Sequence, residues 1–150
     1  MSKILARNKR AKHDYFIEEY FEAGLVLEGN EVKSIKAGKV SIKEAYCQIR
    51  NGEAFIIGMH VTPYTQANNF INLDPIRTRK LLLNKKEIKK IGSKTVEKGW
   101  ALLPLEIKEK NGLIKIDIGL GKGKKLYDKR KDLKEKDAKR SIERTMKERY

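Results

Sequence analysis

The sequence predicts a mainly β protein: a closed or nearly closed antiparallel barrel of about six strands with about three short helices between them, followed by a basic extension. Three observations predict it. Two Asn-Gly dipeptides, at Asn51-Gly52 and Asn111-Gly112, each separate a pair of strand-like runs. The last of those runs alternates strictly between apolar and polar residues. The composition then changes abruptly at Gly121. At 150 residues the chain suits one modest domain with a single core, plus an extension.

The elements follow in order. "DYFIEEYFEAGLVL" is rich in aromatic and β-branched residues and supplies a strand or two. "GNEVKSIKAG" spaces Val32 and Ile35 on one helical face and places Gly38 where a helix ends. "EAYCQIRNGEAFIIGMHV" reads as a hairpin, because Asn-Gly suits the type I′ turn that matches strand twist. "TPYTQANNFINLDP", with two prolines and many amides, reads as a long surface loop. "RKLLLN" is a short buried strand. "NKKEIKKIGSKTVEKG" opens with Asn84 and Glu87 in capping-box spacing and stops at Gly99, and Gly92 is expected to divide it into two short helices. "LLPLEIKEKNGLIKIDIGL" is the second hairpin. In its second arm Ile114, Ile116, Ile118 and Leu120 alternate with Lys115, Asp117 and Gly119, so one face is buried and the other partly wet.

Charge narrows the function. Thirty-five Lys and Arg stand against twenty Asp and Glu, a net charge of +15 and a sequence pI near 9.8. Such an excess is usually matched by a polyanion, nucleic acid before a membrane surface. Residues 121–150 hold thirteen of the basic and six of the acidic residues, a density of net charge about three and a half times that of the rest. This divides the chain into a barrel, residues 1–120, and a basic tail, residues 121–150. The tail's sparse apolar positions (Ala138, Ile142, Met146, Tyr150) fall at four-residue steps, and Glu135–Lys139 and Glu143–Lys147 are favourable helical pairs. The stripe is thin, so the tail is expected to be disordered alone and to fold where a polyanion cancels its charge. No apolar run reaches about eighteen residues and "MSKILARNKR" is no secretory leader, so a soluble, cytoplasmic protein without a membrane partner is expected. One cysteine, Cys47, excludes an intrachain disulfide and a multi-Cys zinc site, and reads as a small strand residue.

Enzyme chemistry finds no support. There is no Ser-His-Asp arrangement with supporting context, no HExxH and no P-loop, and "GLGKGKK" lacks the spacing of a phosphate-gripping loop. No catalytic residue, metal or cofactor is expected, and His60, at the end of an apolar run, reads as a packing residue. RNA binding fares better. "NKRAKHDYF" combines Lys9, Arg10 and Lys12 with His13 and Tyr15, cations for phosphates beside rings that stack on bases, whereas Phe16 reads as inward-facing. "DPIRTRKLLLNKKEIKK" gathers Arg77, Arg79, Lys80, Lys85 and Lys86. On residue types alone this equally describes a solvated basic face, with Asn84 as a helix cap and Leu82 as core.

"NKRAKHDYFIEEYFEAGLVLEGNEVKSIKAG", "DPIRTRKLLLNKKEI" and "GKGKKLYDKR" resemble the blocks of the bacterial SsrA-binding protein family, SmpB, in that family's order and spacing. The resemblance runs from Asn8 into the tail. It implies an OB-like six-stranded barrel with three helices that binds the tRNA-like domain of transfer-messenger RNA (tmRNA) and delivers it to stalled 70S ribosomes, with elongation factor Tu as a further partner. Carried over by position, it implies RNA contacts from Glu22, Leu82 and Asn84, with Lys9, Arg10, His13, Tyr15, Arg79, Lys80 and Lys85 on the same surface. Glu22 cannot attract phosphate, and must act through a base amine, a 2′-OH or an organising bond to a nearby lysine. In the tail, Lys122, Lys124, Lys125, Tyr127, Asp128, Lys129 and Arg130 are implied to meet ribosomal RNA at the decoding centre, the rest forming a helix in the empty mRNA channel. Family members often carry histidine where this chain has Tyr127, and a tryptophan further along where it has none. Gly119, Gly121 and Gly123 are expected to let the chain turn off the barrel. The competing reading is a generic OB-fold RNA chaperone or ribosome-associated protein.

Overall fold

A computed structural model of the protein describes residues 2–63 and 74–124. The loop assigned to "TPYTQANNFINLDP" therefore lies largely outside the described residues, as does the tail beyond Lys124. The elements run β1 (Ser2–Arg7), α1 (Ala11–Asp14), β2 (Tyr15–Leu25), α2 (Gly29–Lys36), β3 (Val40–Ser41), β4 (Tyr46–Arg50), β5 (Glu53–Ile57), β6 (His60–Val61), β7 (Arg79–Leu82), α3 (Lys85–Lys98), β8 (Ala101–Lys110) and β9 (Leu113–Gly123).

Six of the strands close a ring, β8-β4-β5-β7-β2-β9 and back to β8, all antiparallel. This is the OB-like barrel, and closure removes the exposed strand edges that invite aggregation. β1, which the sequence did not announce, pairs with β8 outside the ring, and β3 pairs with β6 in a small separate sheet. "DYFIEEYFEAGLVL" forms one long strand, with a register shift between Ile17 and Glu19.

Local chemistry accounts for most boundaries. Both Asn-Gly turns have positive φ at each central residue, 49° and 75° at Asn51-Gly52 and 52° and 77° at Asn111-Gly112, as a type I′ turn requires. α3 starts on the expected capping box: Asn84 Oδ1 accepts from the Glu87 amide at 2.8 Å and Glu87 Oε1 accepts from the Asn84 amide at 3.2 Å. It ends at Gly99, φ 64°. Gly92 does not divide it. A mid-helix glycine weakens a helix by only about 1 kcal/mol relative to alanine, and fully buried Ile91 anchors the middle of α3 to the barrel.

The core fills the ring. Ile114, Ile116, Ile118 and Leu120 of β9 face inward with Ile56, Leu81 and Ile107, and Ile35 of α2 and Ile91 of α3 pack against them. Cys47 is buried here, and burial pushes its thiol well above its usual range, so it serves as an inert apolar residue. His60 departs from expectation: it is exposed on β6 rather than packed.

A smaller apolar cluster lies on the outer wall. Ala11, Leu103 and Leu105 are buried there, with Tyr15, Ile17 and Ala101 against them. It explains the glycines of β9, which are strand residues and not a hinge: Gly119 pairs with Tyr20, Gly121 with Ile17 and Gly123 with Tyr15. A Cβ on Gly119 would stand 2.9 Å from Ile17 Cγ2, and one on Gly121 only 2.6 Å from the Phe16 carbonyl oxygen. The missing side chains let β2 lie close over β9. Strand pairing thus continues beyond Leu120 to Gly123.

Candidate nucleic-acid interface

β2 alternates, so Tyr20, Glu22, Gly24 and Val26 share the outer wall while Phe21, Ala23 and Leu25 turn to the core. Register extends this face across the ring. Gly24 pairs with Leu82 on β7, and Glu22 pairs with Asp117 on β9, which in turn pairs with Glu106 on β8. Leu82 is 53% exposed, so it belongs to this surface and not to the core. Its Cβ lies 3.3 Å from where a Gly24 Cβ would sit, so the glycine leaves room for the leucine to lie across β2. Lys80, two residues before Leu82 on β7, bonds Glu53 at 3.2 Å. Beyond Leu83 the chain reaches Asn84, whose Oδ1 is occupied by the cap, and exposed Lys85 on the first turn of α3.

Glu22 bonds nearby lysines, one of the three roles open to its charge. Lys108 Nζ stands 2.8 Å from both Glu22 Oε2 and Asp117 Oδ1, and Lys110 Nζ lies 3.7 Å from Glu22. The hydrogen bond from Lys108 holds the Glu22 carboxyl below its ordinary range. Asp117 and then Glu22 hold the Lys108 ammonium above its own. The pair of acids fixes a lysine that would otherwise sweep the surface.

The N-terminal group is a second part of the face. Lys9 and Arg10 form the turn before α1, and His13 Nδ1 donates to Asp14 Oδ1 at 2.9 Å. Tyr15 packs on the outer apolar cluster. Phe16 is 41% exposed, against expectation, with the Lys124 ammonium 4.8 Å above its ring. Lys122 is exposed on β9, and the Lys124 amide donates to the Asp14 carbonyl at 2.8 Å. Lys125, Tyr127, Asp128, Lys129 and Arg130 lie outside the described residues.

Arg79 requires a correction. Its side chain is fully buried and points into the protein, with Nη2 2.5 Å from Glu31 Oε2 and Nε 2.7 Å from the same oxygen. Its remaining donors reach the carbonyls of Met59, Arg77 and Pro75. Arg77 also bonds Glu31. Burial alone would raise the Glu31 carboxyl, but hydrogen bonds from Arg77, the Glu28 amide and Arg79 outweigh it and hold the group below its ordinary range. Arg79 thus ties α2 to the stems on either side of residues 62–74, and it has no donor left for RNA.

Sequence reasoning missed Tyr20, Lys108, Lys110 and Asp117. Their signal was present in the polar alternation of β2 and the second hairpin, but only strand register shows that these positions adjoin Glu22. Among the described residues, no group of His, Cys, Asp and Glu is placed to hold a metal ion, and no helix is long and apolar enough to cross a membrane.

Comparison with known proteins identifies the family. A family model described as SmpB protein matches residues 5–148. The chain is 57% identical over 147 residues to the SsrA-binding protein of Bacillus pumilus, covering 98% of this chain and 94% of that one. It is 56% identical over 146 residues to the SsrA-binding protein of Bacillus subtilis, covering 97% and 93%. A solved structure described as "tmRNA-SmpB: a journey to the center of the bacterial ribosome" contains a similar chain, with a TM-score of 0.64 and 41% identity over 80% of this chain and 84% of that one.

Proposed function

The chain belongs to the SmpB family, and from that premise we infer that it is an RNA-binding adaptor of trans-translation, holding tmRNA and bringing it to the ribosome. The observation that carries the reading is the extent of the match, residues 5–148, which takes in both the barrel and the basic tail. A generic basic RNA binder would need only the charge.

In this reading the barrel and the tail divide the labour. The outer wall of β7, β2, β9 and β8 offers Leu82 to press on an unstacked base, and Asn84 and Lys85 stand at the next step of the chain. Lys80, Lys108 and Lys110 supply positive charge, two of them steered by Glu22. This wall is the part we assign to the tRNA-like domain, together with Lys9, Arg10, His13 and Tyr15. Lys122, Lys124 and Lys125, then Tyr127, Asp128, Lys129 and Arg130, are assigned to ribosomal RNA at the decoding centre, with the remaining tail folding as a helix in a message-free channel. Elongation factor Tu completes the delivery complex in this reading, which places the protein's work in the cytoplasm.

The test is binding to tmRNA at moderate salt in the presence of excess ordinary tRNA, by the full chain and by a version ending at Lys124. Tight binding by both supports barrel recognition. Binding that the competitor removes would replace this reading with the generic one.

A further inference from the structure

On the same outer wall, beside the Glu22–Lys108–Asp117 cluster, lies a cleft of about 370 Å³ between β1, the turn before α1 and strands β2, β8 and β9. Its composition is ordered. Tyr20, 61% exposed, and Leu105 give it two apolar walls. Glu106 and Asp117, register partners on β8 and β9, stand side by side within it. Arg7, Lys9 and Lys12 contribute the positive charge. Asn8 is held by a bond from its side-chain amide to the Pro104 carbonyl at 3.0 Å, which leaves its side-chain oxygen as an acceptor.

Two carboxylates among three cations are wrong for a phosphate, which they would repel. They suit a planar group with donors on its edge that threads between phosphates held by the cations. Lys108 occupies one oxygen of Asp117 and leaves the other, and Arg7 Nε stands 3.6 Å from Glu106, beyond hydrogen-bond distance. The acceptors are therefore not exhausted. Among the bases, guanine alone carries adjacent donors, N1–H and N2–H, with no acceptor between them on that edge. Uracil offers one N–H flanked by two carbonyls, and adenine and cytosine each set a ring acceptor beside the amine, which a carboxylate opposes.

We propose that this cleft seats an unpaired guanine of the RNA held by the barrel, stacked on Tyr20 and read by Asp117 and Glu106. The inference rests on the RNA-binding reading above and adds a base-specific contact to it. Base stacking on a tyrosine accepts any base, so the discrimination comes from the acids.

The test is titration of the full chain with 5′-GMP, 5′-AMP, 5′-CMP and 5′-UMP, followed by backbone amide NMR. GMP is expected to move the amides of Arg7–Lys12, Tyr20 and Asp117, with a Kd lower than those of the other three by about tenfold, the discrimination typical of one good two-point base contact. Glu106→Gln and Asp117→Asn should each erase that preference, with changes in the free protein's spectrum confined to the cleft and the neighbouring Lys108 cluster, and Tyr20→Ala should weaken all four nucleotides alike. Equal affinities for the four, shifts centred elsewhere, or a preference that survives both acid substitutions would overturn the proposal. Binding of tmRNA by the same unmodified chain decides the functional reading separately: strong tmRNA binding without guanine preference removes only the cleft, whereas guanine preference without tmRNA binding removes only the adaptor.

Discussion

Arg79 and Glu31 meet inside the protein, Nη2 to Oε2 at 2.5 Å, with the two side chains 0% and 5% exposed. Replacing Glu31 by leucine leaves the Arg79 guanidinium buried without a counter-charge. Breaking a buried pair in this way costs about 3–5 kcal/mol. Urea unfolding of Glu31→Leu should show a loss of that size, with no intermediate required. A loss under about 1 kcal/mol would mean that the pair is not buried in solution.

Gly119 and Gly121 separate by what a methyl group would strike. At Gly119 it meets the ends of the Ile17 and Leu105 side chains, which can rotate away, whereas at Gly121 it meets the Phe16 backbone. Gly121→Ala is expected to destabilise by about 1–3 kcal/mol and Gly119→Ala by less. Thermal melts of the two variants side by side check the order.

Leu82 is a surface residue by structure and a contact residue by assignment. Leu82→Ala should therefore change stability by no more than about 0.5 kcal/mol. The same variant should weaken tmRNA binding about tenfold, the loss expected on removing about 1.5 kcal/mol of apolar burial against a base. Unchanged affinity would remove Leu82 from the interface.

Acid should loosen the protein through Glu22 and Glu31. Both are held below the ordinary 4.5 when folded, so their stabilisation is complete above that pH and is lost as pH falls through their lower folded values. Lys108 mirrors them: its folded value lies above the ordinary 10.5, so its contribution is complete below that pH and is lost only as pH rises past it. Melting temperature measured against pH should be level between these limits on account of these groups, and Glu22→Gln should fall less steeply on the acid side than the wild type.

Asp128, Lys129 and Arg130 replaced together by alanine should leave tmRNA binding near normal and abolish peptide tagging on stalled ribosomes. Equal loss of both activities would show that barrel and tail do not divide the work.

What the chain discloses at short range proved easy to read. The Asn-Gly turns and the Asn84–Glu87 cap involve residues no more than three apart, so their spacing alone specifies them. The closed barrel followed from strand-like runs bounded by such turns. The errors share a longer range. Arg79 resembles its neighbours Arg77 and Lys80 in type, and its burial is decided by Glu31, 48 positions away. Gly121 reads as a hinge until β2 is laid against it, and Gly92 reads as a breaker until Ile91 is seen anchoring its helix. The candidate interface was half legible for the same reason. Glu22 and Leu82 came from family resemblance, while Lys108 and Asp117 became visible only when strands from opposite ends of the chain were placed in register.

One feature of β2 bears on how far this protein can vary. The strand carries Glu22 and Gly24, with Leu82 across from them, near one end, and Tyr15, paired with Gly123 at the root of the tail, at the other. Seven residue steps carry the chain from Tyr15 to Glu22, at most about 23 Å at the usual rise per residue. The strand is therefore a ruler between the face assigned to one RNA and the exit assigned to another. Its side chains can change on the wet face, but beyond the irregularity at Ile17 and Glu19 its length is constrained: adding or removing one residue there would turn every later side chain to the opposite wall and shift the two ends relative to each other.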